Sequence, residues 1–159
     1  RGDAHEAVQG LIDHMEHLIR TSTLVWQPGA VELLLALRED GIPRALVSAS
    51  PIRLVSMVLE RLREHVGFDV FDTAVAAEDT ARTKPYPDPY LEGCRRLDAR
   101  PEKTVVLEDS ANGAAAGLAA GCLVLGVPHI APIPPAPRLQ TVTSLEHVTP
   151  EFLRALVLQ

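Results

Sequence analysis

The sequence predicts an α/β fold, a parallel sheet with helices on both faces. Three observations carry that expectation. Short, mostly apolar runs rich in Val and Leu alternate with segments of helical period. The runs show no strict alternation with polar residues, as fits strands buried on both faces. The chain has 159 residues, 47% of them hydrophobic, enough for one domain with a sizeable core.

The elements follow in order. Residues 4–20 read as a helix, with Val8, Leu11, Ile12, Met15, Leu18 and Ile19 near one stripe and Gln9, Asp13, Glu16 and Arg20 opposite. After Pro28-Gly29 a second helix turns Val31, Leu34, Leu35 and Leu37 inward. It stops at Gly41, a residue suited to the left-handed conformation just past a helix end. Residues 44–49 form a buried strand. Ser50-Pro51 supplies an N-cap and a first-turn proline for a helix through Leu54, Val55, Val58, Leu59 and Leu62. Residues 72–76 form a further strand, and Asp88-Pro89 opens a helix with Leu91, Cys94 and Leu97 on one face. Residues 104–107 form the clearest strand. It runs into Glu108-Asp109-Ser110 and a helix of small residues, 114–120, ended by Gly121. Residues 122–127 are the next strand. The loop after it carries Pro128, Pro132, Pro134, Pro135 and Pro137, too dense in proline for a helix or central strand. A last helix spans 150–158.

Composition narrows the function. Fifteen Lys and Arg against 21 Asp and Glu give a net charge of -6, which argues against a basic nucleic-acid footprint. No apolar run approaches the roughly 18 residues of a membrane span. Cys94 and Cys122 lie far apart and outside any Cys-x-x-Cys pair, so they read as buried, reduced thiols of a cytoplasmic protein. The opening is polar, without the apolar stretch of a signal peptide, and begins at Arg1 instead of Met. That start points to a longer gene product. Oligomeric state leaves no trace in the sequence.

Three groups can carry chemistry. Ser48-Ala49-Ser50 sits where a strand hands over to a helix; a hydroxyl and backbone N–H groups there suit either an ordinary cap or an anion such as phosphate. Lys84, beside Pro85 in a proline-rich segment, is either a solvated lysine or an ammonium held inward to neutralise phosphate. Glu108 and Asp109, at the end of the clearest strand, suit a helix cap or a hard divalent cation such as Mg²⁺, which takes oxygen ligands and keeps waters. His14 and His17 read as a solvated helix face, since no third ligand is near in sequence.

Taken together, three motifs resemble the haloacid dehalogenase-like hydrolases, in the branch of β-phosphoglucomutases and sugar-phosphate phosphatases. They are Ala45-Leu46-Val47-Ser48-Ala49-Ser50, Lys84-Pro85 with its Pro-Asp-Pro, and Val105-Val106-Leu107-Glu108-Asp109-Ser110-Ala111-Asn112-Gly113. The likeness covers about residues 24–157. It implies a Rossmann-like core and a magnesium-dependent phosphatase acting on a small phosphorylated metabolite. Under it, Ser48 and the Ala49 N–H bind the phosphoryl group, Lys84 bridges nucleophile and phosphate, Asp109 is the Mg²⁺ ligand, and Glu108 is its partner at the metal. A phosphomutase of the same branch is the alternative, though Pro51-Ile52 stands where β-phosphoglucomutases carry a polar Lys-Asn pair. A non-catalytic phosphate-binding remnant is the other alternative.

One departure matters. The family's nucleophile belongs to an Asp-x-Asp-Gly-Thr strand, and no two aspartates here are separated by a single residue. Val70-Phe71-Asp72-Thr73 imitates that strand, but Ala74 takes the place of the general acid. The expectation is a remnant of a helical cap domain at 1–24 and a core at 25–159 lacking its first strand, inactive alone. In the family's order that strand is central. Its loss leaves the strands ending at Ser48 and Glu108 either to pair directly or to face each other across an open slot.

Overall fold

The structure of the chain, a computed structural model, describes residues 2–158; Arg1 and Gln159, the outer ends of the two expected domains, lie outside them. Among the described residues, six α-helices are interspersed with short parallel strands: α1 (Gly2–Thr21), α2 (Ala30–Glu39), α3 (Ile52–Val66), α4 (Asp88–Arg96), α5 (Ala111–Ala119) and α6 (Pro150–Val157). Among the described residues the strands form two sheets. In one, β1 (Ala45–Val47) pairs with β2 (Thr73–Val75), Ala45 opposite Thr73. In the other, β3 (Val105–Glu108) pairs with β4 (Leu123–Gly126), and β4 with β5 (Leu139–Thr141). β1 and β3 are each paired on one side only, and the two sheets do not merge. Direct pairing of β1 with β3, one of the two outcomes expected for these strands, is not seen among the described residues.

The larger sheet is covered on both faces. Successive strand residues point oppositely, so Val124 joins Tyr90, Cys94, Val106, Ala114 and Ala116 under α4 and α5. Its neighbour Leu125 joins Leu33, Leu37, Leu153 and Leu156 under α2 and α6. Gly117 lets α5 lie close on this sheet: a Cβ there would stand 3.0 Å from Val124 Cγ2 and 3.2 Å from Val106 Cγ1. The small-residue helix is thus a packing device. Arg96 anchors α4 to the smaller sheet, donating to the Ala74 carbonyl at 2.5 Å and pairing with Asp79 at 2.7 Å.

Several inward faces differ from the sequence reading. In α2 the buried residues are Leu33 and Leu37, with Val31, Leu34 and Leu35 half-buried. In α4 Tyr90 and Cys94 turn inward, into the core with Val106 and Ala114, and Leu91 turns outward. In α1, Ile19 is buried, whereas Val8, Leu11, Met15 and Leu18, four of the six residues of the apolar stripe, are exposed. The helix packs on α3 partly through ion pairs of Arg53 with Asp13 at 2.8 Å and Glu16 at 2.7 Å. α3 starts at Ile52 without a side-chain cap from Ser50; Glu78 accepts from the Ile52 N–H at 2.8 Å instead. Cys94 and Cys122 are free and buried, as expected, and no helix is long and apolar enough to cross a membrane among the described residues.

Candidate active site

The carboxyl ends of β1 and β3 meet at one place, and Lys84 joins them. Its Nζ donates to the Val47 carbonyl, the last residue of β1, at 3.1 Å, and to Glu108 Oε1, the last residue of β3. The ammonium therefore links the carboxyl ends of the two sheets. Such edges are where ligands of parallel α/β sheets collect, because helices begin there and their N–H groups point outward.

Each expected residue can be placed. Ser48 directly follows Val47, is half-buried, and its N–H still extends the β1–β2 ladder to Val75 O at 2.9 Å. Its Oγ accepts from the Ser50 N–H at 3.1 Å, which leaves the hydroxyl proton free to donate. Ala49 lies exposed beside it, and Asp109 lies exposed beyond β3. Lys84 is largely buried, its side chain 15% exposed against 6% for Glu108. The three stretches thus converge, as three motifs in register require. Asp72 does not: its carboxylate accepts from the Arg44 N–H at 2.7 Å ahead of β1, at the opposite edge of the sheet. That placement agrees with rejecting residues 70–73 as the nucleophile strand.

The acidic pair divides. Glu108 is buried and held by three donors: Oε1 accepts from Lys84 and from the Tyr90 hydroxyl, and Oε2 accepts from Ser110 Oγ at 3.2 Å. Burial alone would raise its pKa, but the donors and the ammonium charge outweigh burial and hold it below the ordinary glutamate range. Burial, then the Glu108 charge, drives the Tyr90 phenol far upward, so it stays a donor. Ser110 also caps α5, accepting from the Gly113 N–H at 3.1 Å. Gly113 leaves the room that Glu108 fills; a Cβ there would lie 1.9 Å from its carboxyl carbon.

Only Asp109 of the pair therefore offers an open carboxylate. No group of three or more His, Cys, Asp or Glu side chains able to hold a metal occurs among the described residues, and His14 and His17 are both exposed, as a solvated face predicts. The sequence assigns no role to Tyr90, and none to Ser110 or Gly113 beyond their place in the third motif. Tyr90 was legible as the i, i+4 partner of Cys94, an apolar body with a polar tip on an inward face.

A model of the haloacid dehalogenase-like hydrolases matches residues 3–121. The chain belongs to that family. Hexitol phosphatase A of Escherichia coli K12 is 36% identical over 152 residues, which are 93% of this chain and 68% of that protein. CbbY of Rhodobacter sphaeroides, solved in complex with phosphate, superposes with a TM-score of 0.74 at 26% identity over 86% of this chain and 62% of that one. The HAD hydrolase, family IA, variant 3, of Entamoeba histolytica has the same fold, with a TM-score of 0.87 at 21% identity over the whole chain and 73% of its own. The chain spans half or less of several other curated relatives, including 39% of phosphoglycolate phosphatase and 47% of protein CbbY. By family, this haloacid dehalogenase-like protein is a hydrolase with a parallel α/β core.

Proposed function

We propose that these residues are the phosphate-binding part of a magnesium-dependent phosphatase acting on a small phosphorylated metabolite of the sugar-phosphate kind. The observation that carries the reading is Lys84, an ammonium between the ends of β1 and β3 and beside Ser48. The 36% identity to hexitol phosphatase A supports the substrate class.

The chemistry follows from charge. A transferring phosphoryl group spreads negative charge over its oxygens, and fixed donors that need no rearrangement stabilise it best. The Ser48 hydroxyl and the Ala49 N–H grip the anion from the β1 side. Lys84 neutralises it from the gap, aimed by Glu108. The open Asp109 oxygens suit a hard cation that keeps most of its waters and takes one or two carboxylates. Mg²⁺ bound there would supply further neutralising charge. Asp109 would hold it, and Glu108 serves Lys84.

No Asp-x-Asp occurs in the 159 residues, so on this reading they bind phosphate and do not turn it over. Metal-dependent phosphate release by the purified chain, abolished by Asp109→Ala, would overturn that. With an Asp-x-Asp-Gly-Thr strand fused ahead of residue 1, hydrolysis of hexitol phosphates is expected. Asp109→Asn should then lower metal affinity and turnover together, and Lys84→Ala should mainly slow phosphoryl transfer. Unchanged rates in both variants would refute the assignment.

A further inference from the structure

We propose that Tyr90 is a positioning residue: its hydroxyl, acting through Glu108, fixes where the Lys84 ammonium stands. The claim deepens the phosphatase reading above and rests on it for the meaning of Lys84. Tyr90 is buried in α4, in the core beneath the site. Its hydroxyl donates to Glu108 Oε1, the same oxygen that accepts from Lys84. Its ring lies 4.9 Å from Lys84 Nζ, so the phenol meets the pair at both ends.

A carboxylate on a long side chain would otherwise rotate, since Glu has three soft torsions. Here one oxygen is fixed from below by Tyr90 and the other from the side by Ser110 at 3.2 Å. The remaining direction of Oε1 is the one that Lys84 takes. Removing the hydroxyl alone leaves a charged oxygen with one donor fewer in a buried place, and Glu108 must turn to recover it. The lysine then loses a fixed partner without losing its charge. A ring contact alone would hold the ammonium over a face and would not set its height between β1 and β3.

The chain offers a clean readout, because it contains only two lysines, Lys84 and Lys103, and two tyrosines, Tyr86 and Tyr90. Lysine labelled with ¹³C at Cε gives two signals, with exposed Lys103 as the internal reference. At one fixed pH, Lys84 is expected to be rigid in the wild-type chain and to approach the mobility of Lys103 in Tyr90→Phe. Affinity for inorganic phosphate should fall about fivefold to tenfold in that variant. In a Glu108→Gln background, Tyr90→Phe should add nothing further to the Lys84 signal.

A lowered melting temperature with Lys84 mobility unchanged would show a merely structural tyrosine and overturn the proposal. So would an equal loss of Lys84 order in the Glu108→Gln background, which would place the effect in the ring. Should Tyr90→Phe not fold, wild-type protein labelled at tyrosine Cζ decides. In mixed H₂O and D₂O, Tyr90 should show the split signal of a slowly exchanging hydroxyl and Tyr86 a single averaged one, and averaging at Tyr90 would overturn the claim. Failure of phosphate to perturb Lys84 in the wild-type chain refutes the phosphatase reading instead, and the mobility data still judge Tyr90.

Discussion

Gly113→Ala sets two physical effects against each other with opposite signs. By helix propensity alone, replacing a glycine in α5 should stabilise the chain by up to about 1 kcal/mol. The structure demands the reverse. The new Cβ would stand 1.9 Å from the Glu108 carboxyl carbon, where ordinary contact begins near 3.4 Å, so the carboxylate must retreat by roughly 1.5 Å. The end of an exposed glutamate would simply swing away. This one is buried and held by Lys84, Tyr90 and Ser110. Hydrogen bonds to a charged group contribute about 1.5–3 kcal/mol each, so breaking two costs about 3–6 kcal/mol. Subtracting the propensity gain and allowing for partial re-bonding leaves a net loss of about 2 kcal/mol or more. For a chain of this size that lowers the melting temperature by about 4–8 °C. Calorimetry or circular dichroism of the purified variant measures it. A melting temperature equal to or above that of the wild type would show that Glu108 is not held as described, and the account of the site built on it would fall.

Three more outcomes follow from the same geometry. Ser110→Ala removes both the α5 cap and the Oε2 donor, and urea unfolding should show a loss of about 1–3 kcal/mol. Glu92 is held at a pKa of about 2 by hydrogen bonds from Arg95 and then Arg96. A depressed carboxylate adds stability that is present above its ordinary value of 4.5 and lost as pH falls towards 2. Glu92→Gln should therefore flatten the acid limb of a melting-temperature profile below about pH 5 and leave its shape at neutral pH alone; an unchanged acid limb counts against the pairing. β1 and β3 each present one unpaired edge, which predicts concentration-dependent self-association on size exclusion. Leu107→Lys, a charge on the β3 edge strand, should reduce it.

How much could be read in advance depended on whether a residue's role was local. Ser48, Lys84 and Asp109 each follow or flank an element whose type was legible from its own pattern, so their meeting at one sheet edge followed from parallel topology. The cap on α3 did not, because its acceptor Glu78 lies 26 residues beyond the N–H that it serves. β5 was hidden for a similar reason. Leu139, Gln140 and Thr141 follow the proline-rich loop, are mostly exposed, and are strand only through the hydrogen bonds that β4 offers them. In α4, counting Leu91 as inward followed hydrophobicity, whereas the helix is phased by what Tyr90 and Cys94 touch. Glu108 looked like half of a metal pair because sequence shows two adjacent carboxylates. It does not show the tertiary donors, Lys84, Tyr90 and Ser110, that hold Glu108 inward, while Asp109 follows the end of β3 and is exposed.

The Lys84–Glu108 pair is an uneconomical way to stabilise a fold. Taking both charges out of water costs several kcal/mol per ion, and apolar residues of similar volume at such places often leave a protein as stable or more so. Stability therefore does not explain why an ammonium stands between two sheets with its carboxylate fixed by a phenol, a hydroxyl and the missing side chain of a glycine. A requirement for positive charge at one fixed point does explain it, and so does its place at the carboxyl edge beside Ser48. The same reasoning orders the contributions of the ion pairs. The exposed pairs, such as Arg100 with Glu102 at 3.3 Å, each add at most about 1 kcal/mol to stability and nothing to chemistry. Breaking Lys84–Glu108 from one side leaves the other charge buried and unpaired. Lys84→Met with Glu108→Gln should accordingly be less destabilising than either change alone, while abolishing phosphate binding. That pattern separates a functional ion pair from a structural one.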